Sequence, residues 1–253
     1  MPSIREIDDF MSDWAKKEYS EPWDNDGVML CADLNENVKS VLVCLEINER
    51  VCATAKECGA NLIVTHHPYI FKGLRSISGA DYKMTKLLIE GGISVLSYHT
   101  RLDAAQGGVN DVLAQRIGLS HIVPFGEDGL GRVGTLSTPV TAEAFAFHLK
   151  SCLSCGTIKV YIPQGKTIEK VAVVGGAGKD FLCDAAPLCD AYVTGDLSHN
   201  SFIDAREYGV ALFDAGHYFT ENPVVQEIAK RLGESFPDAK ISTSDSLCPY
   251  ECI

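Results

Sequence analysis

The chain has 253 residues, 46% of them hydrophobic, and a formal net charge of −12. This length suits one large or two small domains with a full apolar core. The acidic balance, the absence of a Lys/Arg run and the absence of any stretch near membrane-span length argue against nucleic-acid and membrane partners.

The start, Met1-Pro2-Ser3-Ile4-Arg5-Glu6, is charged and amphipathic rather than a signal peptide, so a cytoplasmic location is expected. Ser3 can cap a first helix, with Glu6 completing a capping box, and Ile4, Ile7, Phe10, Met11, Trp14 and Ala15 follow helical spacing. Residues 22–27 are turn-rich. Residues 40–45 read as a strand, 48–58 as a helix stopped at Gly59, and 61–65 as a buried strand that ends on His66 and His67. A helix over 82–90 stops at Gly91-Gly92, and a strand over 93–98 ends at His99. Gly107-Gly108 breaks the chain before a helix over 109–117. Strands alternating with helices imply largely parallel pairing and an α/β fold.

The rhythm repeats with a strand over 134–137, a helix over 142–150 capped by Thr141, and strands over 157–161 and 170–174. A glycine turn, Gly175-Gly176-Ala177-Gly178, leads to a helix over 179–185. A strand over 191–194, a helix over 198–208, a strand over 210–214, a helix over 222–232 and a strand over 240–243 complete the chain. Two α/β lobes are expected, 1–125 and 126–253, with the boundary near 124–131.

Four polar clusters directly follow these apolar strands: Thr65-His66-His67-Pro68, His99-Thr100-Arg101-Leu102-Asp103, Asp196-Leu197-Ser198-His199 and His217-Tyr218-Phe219-Thr220-Glu221. In open parallel sheets ligands bind outside the carboxyl ends of the strands, so neighbouring strands would bring these clusters to one crevice. Histidine and carboxylate together are what a divalent metal needs, and histidine favours zinc, iron, nickel or copper over magnesium and calcium. His217 and Glu221, four apart, share a face at a helix start. Asp103, four after His99, lies among turn residues, and a carboxylate can bridge two cations. Each residue alone has a plainer reading: Asp103 as a turn cap, Glu221 as a favourable acid in a first helical turn, and single histidines as satisfied polar residues. The joint pattern argues for metal. His121 and His148 lie outside it and read as ordinary.

Other features carry less. The glycine turn lacks the third glycine of a dinucleotide fingerprint and no P-loop lysine follows, so close helix–sheet packing is the preferred reading over a phosphate cradle. No serine-hydrolase elbow occurs. Cys31, Cys44, Cys52, Cys58, Cys183 and Cys189 lie in or beside apolar segments and read as core thiols. Cys152 and Cys155 have C-x-x-C spacing, and Cys248 and Cys252 form a looser pair. Nothing in the spacing joins them into a zinc site, and no thioredoxin-like context surrounds the first pair.

The chain resembles the Nif-three-like family, whose members are often labelled homologues of GTP cyclohydrolase I type 2. The resemblance covers nearly the whole chain. It rests on Trp23-Asp24-Asn25-x-Gly27, His66-His67-Pro68-x-x-Phe71, His99-Thr100-x-Leu102-Asp103-x-x-x-Gly107-Gly108-x-Asn110, Gly176-x-Gly178, Thr194-Gly195-Asp196-x-x-His199 and Gly216-His217-Tyr218-x-Thr220-Glu221. It implies two intertwined, similar α/β lobes with mixed, largely parallel sheets flanked by helices, without the middle domain of longer members. It further implies a ring-shaped homohexamer and a two-metal site of His66, His67, Asp103, His217 and Glu221, with Glu221 bridging and the 195–221 segment returning ligands to a shared crevice. The chain departs from the pattern at Asp26, where a small or apolar residue is usual, and at Arg101, where Asn or another small residue is common. Arg101 is expected to bear on the anionic groups the crevice accepts. Ser198 and Asn200 also replace more typical residues around His199. No departure removes a proposed ligand.

Two functions compete. In the first, two divalent ions (zinc, iron or manganese) activate water for hydrolysis of a nucleotide or related small molecule, with His99, Asp196 and His199 as candidate acid–base groups. In the second, the protein is a non-catalytic metal-binding scaffold or regulatory ring. A catalytic site keeps an open coordination position, whereas a structural one is closed by protein ligands.

Overall fold

The computed structural model describes residues 1–251. Its elements run α1 (Ile4–Trp14), β1 (Gly27–Leu30), β2 (Ser40–Cys44), α2 (Glu49–Cys58), β3 (Leu62–Thr65), α3 (Gly79–Glu90), β4 (Ser94–Ser97), α4 (Thr100–Ala104), α5 (Val109–Ile117), β5 (Ser120–Phe125) and β6 (Gly131–Thr141). They continue α6 (Ala142–Leu153), β7 (Lys159–Tyr161), β8 (Thr167–Val173), α7 (Leu182–Ala185), β9 (Ala191–Thr194), α8 (His199–Tyr208), β10 (Ala211–Asp214), α9 (His217–Glu221), α10 (Val224–Ser235) and β11 (Lys240–Thr243). The chain forms two compact units, Met1–Ala105 with Val224–Leu247, and Gln106–Pro223 with the tail from Cys248.

The first unit holds a five-stranded sheet in the order β1-β4-β3-β2-β11. β11, β2, β3 and β4 pair in parallel, and β1 adds to the edge antiparallel. The inner strands β2, β3 and β4 are buried at every position. This explains their unbroken apolar runs, because a sheet covered on both faces leaves no polar side. Ser3 caps α1 through the expected box with Glu6, and Asn48 caps α2, which Gly59 ends in the left-handed conformation at φ 70°. β1 is a short, half-exposed edge strand without alternation, and the periodicity did not reveal it.

The second unit holds a six-stranded sheet in the order β5-β6-β8-β9-β10-β7, parallel at its centre (β8-β9-β10) and antiparallel outside. β5 fills residues that the sequence reading left between elements. Pro124 and the positive φ of His121 (51°) obscure its pattern, and an edge strand tolerates both a proline and the register shift seen here. The helix expected over 222–232 is α10, beginning two residues later at Val224, and the short helix α9 precedes it; Pro223, which has no amide hydrogen, separates the two. The glycine turn after β8 is a packing device. Gly175 N donates to Asn110 Oδ1 (2.7 Å), Gly176 N to Thr220 Oγ1 (3.0 Å) and Gly178 N to Thr194 Oγ1 (2.9 Å), so these amides are already engaged rather than turned to a phosphate.

Arg101 does not face an anion-binding crevice as expected. Its side chain is only 3% exposed, with Nε 3.3 Å from Asp26 Oδ1 and the guanidinium 4.5 Å over the Tyr98 ring. Two of the residues that depart from the family pattern, Asp26 and Arg101, are thus partners. Tyr98 Oη donates in turn to Asp8 Oδ1 (2.6 Å), and Lys17 Nζ lies 2.7 Å from Asp26 Oδ1. Removing Arg101 would leave the buried Asp26 carboxylate with only the exposed Lys17 as its cationic partner. Arg101→Met should therefore destabilise by about 3 kcal/mol in chemical denaturation, and Arg101→Met with Asp26→Leu by less than the single change.

The cysteines follow the core reading with one correction: Cys183 is exposed. Burial pushes the Cys44 and Cys189 thiols up to about 12 and the Cys152 thiol up to about 11. Cys152 and Cys155 are therefore poor thiolates, which disfavours a redox role. Cys252 lies outside the described residues. Iodoacetamide at mildly alkaline pH should modify Cys183 first and leave Cys44 and Cys189 unmodified until denaturant is added, with peptide mass mapping as the readout.

Candidate metal centre

Strand register builds the donor set of the first unit. Cys44 pairs with Thr65 and Thr65 with Ser97, so β2, β3 and β4 end at one level. Two residues beyond those ends stand Glu46, His67 and His99. The bonds His66 N to Cys44 O (3.4 Å) and His67 N to Leu45 O (2.8 Å) carry the alignment past the last strand residue. The ligating atoms of His66, His67 and His99 all lie within 4.8 Å of one another. His66 is fully buried, and its Nε2 lies 3.6 Å from Asp103 Oδ1 on α4.

Each ring is held by its Nδ1. His66 Nδ1 lies 2.9 Å from the carbonyl oxygen of Tyr98. A carbonyl only accepts, so this nitrogen carries the proton and the neutral ring keeps its lone pair on Nε2. His67 Nδ1 lies 3.3 Å from Glu46 Oε2, and His99 Nδ1 lies 2.8 Å from Asp24 Oδ1. Asp24 is itself fixed, accepting at Oδ2 from Thr100 N (3.0 Å) and Thr100 Oγ1 (2.6 Å). Burial pushes the Asp24 carboxyl up, but hydrogen bonds from His99 and Thr100 outweigh it and hold the group well below the usual carboxylate range.

The second unit repeats the device. His217 and Glu221 lie on α9, with His217 Nε2 2.9 Å from Glu221 Oε2 and His217 Nδ1 2.7 Å from Asp196 Oδ2. Two donors bound to one transition metal at about 2.0–2.1 Å stand roughly 3 Å apart, the separation found here. Space is reserved for the pair. Gly176 sits at φ +65°, and a Cβ there would collide with Glu221 Oε1 and come 3.1 Å from His217 Nε2. Gly195 is equally constrained, since its Cβ would meet His217 N at 2.6 Å. A cavity of about 650 Å³ adjoins Asp196 and is lined by Thr157, Lys159, Asp214, Phe219 and Tyr250 among others. Lys159 Nζ lies 2.6 Å from the buried Asp214 carboxylate.

The structure thus gathers His66, His67, His99 and Asp103 into one set and His217 and Glu221 into another. His99, a candidate acid–base residue in the sequence, stands among the metal-capable imidazoles. Asp196, another such candidate, holds the His217 ring. His199 opens α8 at the surface and belongs to no metal-capable group among the described residues. His148 is occupied elsewhere, its Nε2 2.7 Å from Ile117 O. Sequence reasoning assigned no role to Glu46 or the Tyr98 carbonyl. Asp24 was visible only within the Trp23-Asp24-Asn25 motif.

The Duf34/NIF3 (NGG1p interacting factor 3) family matches residues 2–247. The chain belongs to this family. A Clostridium perfringens relative named GTP cyclohydrolase 1 type 2 homolog is 32% identical over 261 residues, covering 99% of both chains. A Methanocaldococcus jannaschii relative of the same name is 33% identical over 219 residues, covering 86% of this chain and 89% of the relative. The crystal structure of Staphylococcus aureus protein SA1388 superposes with a TM-score of 0.91 at 26% identity, covering 100% of this chain and 99% of that one. The mixed α/β fold is therefore that of the family.

Carboxylates that orient metal-binding imidazoles typically contribute 10–100-fold to affinity. Asp24→Asn should keep the fold and weaken metal binding by about that factor, as measured by competition with a chromophoric chelator. Gly176→Ala should displace the Glu221 carboxylate and lower metal stoichiometry in the same assay, with circular dichroism confirming that the fold is retained.

Proposed function

We propose that the protein binds two divalent transition-metal ions through His66, His67, His99, Asp103, His217 and Glu221 and hydrolyses a bond in a nucleotide or related small molecule. The reading is carried by one observation: all four imidazoles hold an oxygen acceptor at Nδ1 and so present Nε2 as the donor. That is the arrangement of metal-ligating histidines, where the outer acceptor fixes tautomer and ring orientation. Glu221 would be shared by the ions through its carboxylate, as the family resemblance implies. Bound there, the ions would supply Lewis acidity and lower the pKa of water. Six side chains shared by two ions leave coordination positions open, which favours hydrolysis over a closed structural site. Glu46, Asp24 and Asp196 orient imidazoles in this scheme, and His199 has no assigned role. The names of the relatives point to a nucleotide ring as one substrate class.

We further propose a homohexamer located in the cytoplasm. The family resemblance supports the assembly, and the free state of the nine described cysteines accords with a reducing compartment. No helix among the described residues is long and apolar enough to cross a membrane.

Calorimetric titration of chelator-stripped protein with zinc or manganese should give two ions per chain. Glu221→Gln should weaken both together, whereas His67→Ala should weaken mainly one. Loss of a single ion in Glu221→Gln would refute the shared carboxylate. A screen of nucleotides, phosphoesters and cyclic amides with the reloaded protein should find metal-dependent hydrolysis. Turnover that persists after metal removal would count against the mechanism. Sedimentation velocity at micromolar concentration tests the hexamer, and a monomer there would rule it out.

A further inference from the structure

Trp23 is 61% exposed and Phe71 is 45% exposed. Both flank His99. The centroids of Trp23 and Phe71 lie 6.0 Å apart with planes at 66°, those of Trp23 and His99 6.2 Å apart at 74°, and those of Phe71 and His99 6.0 Å apart at 86°. Three rings set nearly at right angles make an open corner. A flat ring laid on one face meets the edges of the other two, the preferred offset and edge-to-face geometry of aromatic contacts.

The corner is held in place by residues next to the aromatics. Asp24, adjacent to Trp23, bonds His99 and Thr100 and accepts from Asn25 N (2.9 Å). The Asn25 side-chain amide donates to the carbonyl oxygen of Ile70, adjacent to Phe71. The same short segment thus anchors the backbone beside the indole on one side and beside the phenyl ring on the other. Two adjacent large rings left exposed form an apolar patch that the fold does not cover, and a preorganised aromatic surface lowers the entropy cost of binding a flat ligand.

We propose that Trp23 and Phe71 form a stacking platform for a planar heteroaromatic ring in the substrate. The inference rests on the metal-dependent reading above and adds the chemical class of the group presented to the metals. It restricts substrates to molecules carrying an unsaturated ring and disfavours simple phosphoesters and aliphatic amides.

The test uses full-length, metal-loaded protein. Trp14 and Trp23 are the two tryptophans, and Trp14 lies beneath the Arg231 guanidinium at 4.1 Å, so quenching by an added ring reports on Trp23. Guanosine, uridine and nicotinamide are titrated by fluorescence and by calorimetry, with ribose 5-phosphate as the ring-free control. At least one ring compound should quench saturably, and ribose 5-phosphate should not. Trp23→Ala should weaken that binding by about 5- to 100-fold, Phe71→Leu by less, and Trp23→Phe should largely preserve it, all with metal content unchanged. Undiminished ring binding in Trp23→Ala, or no ring binding by wild-type protein that takes up its metals normally, would overturn the platform and leave the metal centre standing. Failure of metal uptake by the wild type would instead overturn the metal-dependent reading. A smaller assembly for Trp23→Ala in sedimentation would assign the rings to contacts between copies and also overturn the platform.

Discussion

Parallel pairing with a common end level is the constraint on which the first unit's chemistry depends. Once Cys44, Thr65 and Ser97 share a register, the chain beyond each strand must turn at the same height. The acceptors that steer the rings come from those same exits: Glu46 after β2 and the Tyr98 carbonyl after β4. A slip of one residue in any pairing would invert every side chain along that strand. It would separate the imidazoles before any question of affinity arose. The second unit reaches a similar result by crowding, with Gly176 and Gly195 giving Glu221 and His217 room that any larger residue would occupy.

The buried pair Asp26–Arg101 shows how a departure from a family pattern can be absorbed. Arg101 without Asp26 would leave a charge in a place with almost no access to water, and Asp26 without Arg101 would keep only the exposed Lys17. Together they neutralise each other, and Arg101 also packs on Tyr98, whose carbonyl fixes the His66 tautomer. The substitutions therefore bear on the architecture beneath the histidines rather than on what the site accepts.

Much of the fold was legible because parallel strands buried on both faces read as short uninterrupted apolar runs. Val41 to Cys44, Leu62 to Thr65 and Ala191 to Thr194 are of this kind, and the switch to polar residues marks where each strand ends. That switch also exposed the donor clusters. Two of the edge strands were not legible. β1 has no alternation, and β5 is broken by Pro124 and by a positive φ at His121. The ring-orienting acceptors Asp24 and Glu46 were hidden for another reason: each lies far along the chain from its histidine, and a single carboxylate in a turn carries no local signal. The neighbours of a terminal strand are equally unannounced. Residues 240–243 were recognised as a strand, yet nothing in Lys240-Ile241-Ser242-Thr243 shows that they pair with β2.

That last pairing bears on how the chain is made. β2 lies about two hundred residues before its neighbour β11, and the whole six-stranded sheet of the second unit is synthesised between them. While the ribosome works through that interval, the inner strand β2 has an open flank of unpaired amides and carbonyls. Such an edge is a template for wrong partners, and distant pairings form slowly because loop closure comes before the reward of contact. The second unit has no such wait for most of its sheet, since β5 to β10 emerge consecutively. For the two sheets the order of completion is therefore the reverse of the order of synthesis: the sheet begun first is sealed last.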